Sequence, residues 1–226
     1  LELGPEKISR NGKYLGRFGR KATAINLLQQ TAGAYLNDIG ITSDFEPVDL
    51  FNPVLGNRVG DNGPDPEISA ETVHNVVIYL QTLRPPLRRN ENDPIVRRGE
   101  GIFAQIGCTG CHIPELQTGP SPIAPLAFQK VRLYSDLLLH DMGPELADNY
   151  PEGDATGTEW RTTPLWGLGI VGNLLGGTPF YLHDGRTSDL SAAIRLHGGE
   201  AESSRHRFLN LSAEDKAALI TFLKSL

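Results

Sequence analysis

Cys108-Thr109-Gly110-Cys111-His112 holds both cysteines of this 226-residue chain, two residues apart, with a histidine directly after the second. Few short patterns constrain a fold as strongly. Two cysteines alone cannot build a disulfide framework, and a closed zinc site needs four ligands, usually from two such pairs. A thioredoxin-like pair should follow a strand in a βαβ pattern, and none is visible here. The remaining chemistry is covalent attachment of a c-type haem. Each thiol can add across one vinyl group, and the adjacent imidazole can reach the iron. The run therefore predicts one covalent haem c, bound through Cys108 and Cys111 with His112 on the iron; a redox-active or metal-binding thiol pair is the rival.

Bulk properties narrow the class. A net charge of −6 and no basic cluster argue against nucleic acid. No apolar run approaches the roughly 18 residues of a membrane span. Glycine (25) and proline (16) are plentiful while aromatics reach only 7 %. A loop-rich chain this poor in aromatics is short of core, and a buried porphyrin would help fill it. No signal peptide opens the sequence. Haem attachment to such a run normally takes place outside the cytoplasm. The chain thus reads as a processed or truncated protein that is periplasmic or otherwise exported.

An internal repeat suggests two domains. Residues 68–83 align without a gap to residues 211–226. Ser69/Ser212, Ala70/Ala213, Glu71/Glu214, Leu80/Leu223 and Leu83/Leu226 are identical. Each copy opens with a serine N-cap and continues with apolar residues at helical spacing. The copies are offset by 143 residues, so a first counterpart of the Cys108 run would fall before residue 1. The expected organisation is the C-terminal part of a first haem domain over 1–88 and a complete c-type haem domain over 89–226.

The periodicity predicts helices over 22–36, 69–83, 93–106 and 188–197, the third capped by Asp93 with Pro94 at its first position. Residues 113–187 read mostly as loop. A helix leading into the Cys108 run and an amphipathic helix closing the chain frame a cytochrome c domain. The expected fold is all-α, a cytochrome c fold with long loops.

The iron needs a second axial ligand. Leu190, Ile194 and His197 share one helical stripe, which puts His197 on an apolar face. Such a histidine usually has a structural role, but an iron in want of a ligand favours coordination. Met142, the sole thioether, is the competing ligand. His183 suits a turn or a haem edge, whereas His74 and His206 read as exposed. Arg161 is the candidate donor to a haem propionate, against the alternative that it braces its loop.

The segments Gly16–Ala22, Asp136–Gly143, Trp160–Gly169, Tyr181–Arg186 and Ala193–Ala201 occur together and in order. As a set they resemble the bacterial di-haem cytochrome c peroxidase superfamily, in its di-haem oxidoreductase branch, also labelled thiol oxidoreductases. The resemblance spans nearly the whole chain. It implies two haem domains, of which this chain would hold the end of the first and all of the second. It also implies His197 at a position where the peroxidases carry a methionine, hence a bis-histidine iron. The distal catalytic glutamate of the peroxidases would fall on Gly40, with Asp38 the nearest acid, and their inter-haem tryptophan on Arg20. The function implied is single-electron relay from a redox partner of the cytochrome or cupredoxin type toward the first haem domain, with little peroxidase activity by this chain alone. The alternative is a stand-alone monohaem electron carrier whose first domain has degenerated.

Overall fold

A computed structural model describes residues 9–10, 12–58 and 63–226. The chain divides into two units, Leu1–Leu83 and Arg84–Leu226.

In the first unit a small antiparallel ribbon, β1 (Ser9–Arg10) and β2 (Lys13–Tyr14), precedes α1 (Leu27–Ile39) and, after a long loop, α2 (Ala70–Thr82). The helix expected over 22–36 begins five residues later. Ala22 has φ 54, outside helical backbone, and Ala24 pairs with Phe18, so the chain cannot coil until Asn26 caps it. The Asn26 side chain accepts from Gln29 N at 2.8 Å. Gly40, at φ 69, ends the helix. Ser69 caps α2 as its sequence position suggests, accepting from Thr72 N at 3.2 Å. The two helices pack together, α1 burying Ala32 and Leu36 and α2 burying Val73 and Val77.

The second unit is organised by α3 (Pro94–Gln105) and the final helix, α7 (Ala213–Leu223). Asp93 accepts from Ile95 N at 2.7 Å, and Pro94 occupies the first turn, where a missing N–H costs nothing. Ser212 accepts from Asp215 N and donates its hydroxyl to the Asp215 carboxylate, both at 3.1 Å. The helices cross at Gly99, where a Cβ would lie 2.1 Å from the Ala218 carbonyl oxygen. Only glycine permits that approach. Around the crossing, Val96, Ile102, Phe103, Leu219 and Phe222 form the centre of the core. Arg98 on α3 pairs with Asp215 on α7 at 2.7 Å.

Between these helices lie two more antiparallel ribbons and three short helices. The ribbons are β3 (Leu116–Gln117) with β4 (Lys130–Val131), and β5 (Leu139–Asp141) with β6 (Glu159–Arg161). The helices are α4 (Val171–Leu174), α5 (Leu190–Arg195) and α6 (Glu202–Leu209). The all-α expectation is therefore corrected: the described residues form seven α-helices and three two-stranded ribbons, a mixed α and β class and not the all-α class expected for a cytochrome c fold with long loops. Strands of two or three residues are too short to leave the alternating pattern by which strands are recognised. The helix expected over 188–197 is also shorter. Asp189, not Ser188, is its cap, accepting from Ala192 N at 2.6 Å, and the helix ends at Arg195.

Candidate functional site

The Cys108 run follows α3 without a linker. Gly107, at φ 89, turns the chain out of the helix, and Cys108–Gly110 forms one 3-10 turn. His112 N then bonds Cys108 O at 2.9 Å, which folds the whole motif onto itself. Both thiols are unbridged. Burial pushes the Cys108 thiol up to about 12, and Cys108 packs against the core. Burial also raises Cys111, helped by the negative charges of Asp136 and Glu200. Both thiols are thus neutral in the unmodified chain, which makes them poor exchange nucleophiles.

His112 is oriented by the main chain. Its Nδ1 lies 2.9 Å from the Tyr134 carbonyl oxygen. A carbonyl only accepts, so Nδ1 carries the proton and Nε2 keeps its lone pair. Burial lowers the His112 pKa to about 4, outweighing the Tyr134 bond, so the ring is neutral at ordinary pH. The segment that supplies this carbonyl runs beside the motif: Ser135 N bonds Ile113 O and Asp136 N bonds Cys111 O.

His197 repeats the arrangement. It lies two residues beyond α5, and its Nδ1 is 2.8 Å from the Ala193 carbonyl oxygen. The same argument leaves Nε2 unprotonated, and burial lowers this pKa too. His197 is near enough that its charge would oppose protonation of His112. Both rings keep some contact with solvent, although enough protein surrounds them for burial to dominate their protonation. Met142 is in the same neighbourhood: a Cβ on Gly198 would meet the Met142 carbonyl oxygen at 2.9 Å. On Gly199 it would meet that of Asp141 at 2.1 Å.

A histidine–carboxylate clasp joins the two loops. His140 Nε2 is 2.8 Å from Asp136 Oδ2, and its Nδ1 is 2.9 Å from Glu200 Oε2. Asp141 N donates to the other oxygen of Glu200 at 3.0 Å. Burial disfavours charge on His140, but the bonds to Glu200 and Asp136 outweigh it and raise the pKa. Carboxylates on both ring nitrogens require both to carry protons, so this is an imidazolium. Cys111, Asp136 and His140 bring donor atoms within 4.8 Å of one another. Sequence reasoning passed over the clasp. The acid and histidine of Asp136–His140 are four apart in sequence, but Glu200 is sixty residues away and nothing local points to it.

Arg161 lies in β6 opposite Leu139, half-buried, and burial lowers its pKa. Its neighbour Trp160 stacks on His183 with ring centres 3.7 Å apart and an interplanar angle of 13°. His74 and His206 are exposed. Gly40, the position of the peroxidase acid in the resemblance, offers only a helix cap with open space around it.

Two free thiols in one turn and two neutral imidazoles with unprotonated Nε2 are the donor set a covalently bound haem requires, and the core residue Phe103 lies with its ring centre 6.1 Å from that of His112. The residues present fit that group. A family model described as "Di-haem oxidoreductase, putative peroxidase" matches residues 9–226. No curated protein and no solved structure matches the chain.

Proposed function

The chain belongs to the di-haem oxidoreductase family, and on that premise we propose that its second unit holds one haem c and uses it to relay single electrons. The observation that carries this reading is the matched orientation of His112 and His197, each donating Nδ1–H to a backbone carbonyl. Ligand histidines are commonly fixed this way, because the outer bond sets the tautomer and raises the basicity of the coordinating nitrogen. Cys108 and Cys111 would hold the group through thioethers, His112 and His197 would coordinate it, and Arg161 would pair with a propionate. Bound haem supplies reversible one-electron exchange at the iron.

The protein's own contribution is to hold this set in place. The α3–α7 core backs the Cys108 turn, and the His140 clasp ties the His112 side of the site to the loop after His197. With both histidines bound to the iron, no coordination position would be left free. Gly40 has no proton to give, so the acid–base assistance that peroxide cleavage depends on is missing there. The reading is accordingly relay rather than peroxide turnover. The donor would be a small redox protein of the cytochrome or cupredoxin type and the acceptor a first haem domain, in the periplasm or an equivalent exported setting. Stopped-flow reduction by such a donor tests this: fast reversible one-electron reduction supports relay, and refractory iron contradicts it.

A further inference from the structure

The carbonyl that orients His112 belongs to a residue that is itself held from three sides. Tyr134 has φ 55, in the left-handed region that a bulky side chain rarely adopts, so its carbonyl direction is imposed by its surroundings. Its ring is buried, edge-on to Phe103 and Phe222 at 6.1 and 5.8 Å. Its hydroxyl donates to Glu100 Oε1 at 3.0 Å. Glu100 in turn receives both Nη atoms of Arg88 at 2.9 Å, a two-point fork. Arg88 is 12 % exposed and lies 5.2 Å over the Phe222 ring.

Glu100 stands on α3, the helix that runs straight into the Cys108 turn. The same helix therefore fixes His112 twice, once through the chain by way of Gly107 and once through Glu100, Tyr134 and the Nδ1–H bond. Core filling does not explain this. A phenylalanine at 134 would fill nearly the same volume and would not call for a half-buried arginine–glutamate pair. We propose that Arg88, Glu100 and Tyr134 are positioning residues that lock the Tyr134 carbonyl onto His112 Nδ1–H and thereby set the donor strength of Nε2. The inference rests on the reading of His112 as an iron ligand.

A firmly held acceptor gives the imidazole more electron density to share with iron and favours the oxidised state. The test uses the haem-loaded 226-residue protein, with Tyr134→Phe, Glu100→Gln and the double variant. Two quantities are read: the reduction potential and the deuterium exchange of His112 Nδ1–H by NMR. Each single variant should raise the potential. Exchange should become about tenfold faster, the factor for losing one hydrogen bond of ordinary net strength. The double variant should shift no further than the larger single effect, because one unit is being broken. Glu100→Gln keeps the test open if Tyr134→Phe does not fold. Variants that lower thermal stability yet keep wild-type potential and exchange overturn the positioning role alone. A wild-type iron without His112 as ligand overturns the ligand reading, and this role with it.

Discussion

The Nδ1 of His197 lies 2.8 Å from the carbonyl oxygen of Ala193, one helical turn earlier in the chain. α5 stops at Arg195, so the ring is carried just past the helix end while its outer nitrogen is still tied to the helix. His197→Ala should remove the second ligand and convert low-spin iron to a high-spin form that binds carbon monoxide. An unchanged visible spectrum would transfer the role to Met142, and thioether ligation would show as a higher reduction potential than a bis-histidine site.

The clasp at His140 predicts a dependence on alkaline pH. The folded-state pKa of this histidine is raised above its unfolded value near 6.5. Its stabilisation is therefore fully present below about pH 6.5 and is lost as pH rises through the folded pKa. Thermal unfolding across that range should show a declining midpoint, and His140→Gln should flatten the decline. A variant with the same slope as wild type contradicts the clasp.

His112 carries the opposite sign. Burial depresses its pKa from 6.5 to about 4, so the folded haem-free chain resists taking up a proton that the unfolded chain accepts. Stability from this group is present above pH 6.5 and falls as the pH drops toward 4. Titration of the His112 ring by NMR in the haem-free chain should give a midpoint of about 4, well below the ordinary histidine value of 6.5.

The α3–α7 crossing predicts a packing failure. Gly99→Ala places a methyl 2.1 Å from the Ala218 carbonyl oxygen and against Phe222. The helices must separate, at a cost of about 1–3 kcal/mol. Chemical denaturation reads this directly. Gly101→Ala, two residues on with open space around it, is the control and should be neutral or slightly stabilising.

The parts of this structure written locally were readable in the sequence. Asp93-Pro94 announced the start of α3, and Ser69 and Ser212 announced α2 and α7. The all-α class was not correct, because ribbons of two or three residues carry too few side chains to show alternation. The start of α1 was missed because Ala22 and Ala24 read as helix formers, while a left-handed backbone at Ala22 and the bridge from Ala24 to Phe18 are tertiary choices. The partners of the candidate site were hidden for the same reason. The acceptors for His112 and the clasp from His140 to Glu200 join residues 22 and 60 positions apart. No periodicity connects them.

The central claim is that this chain holds haem by covalent bonds at Cys108 and Cys111. Intact mass spectrometry of the purified protein, denatured and extracted with acidified acetone, tests it most directly. The account predicts that the polypeptide keeps the mass of one haem and that a peptide spanning residues 108–112 carries it. A protein that releases its haem to the solvent, or whose two cysteines are recovered as free thiols, contradicts the account.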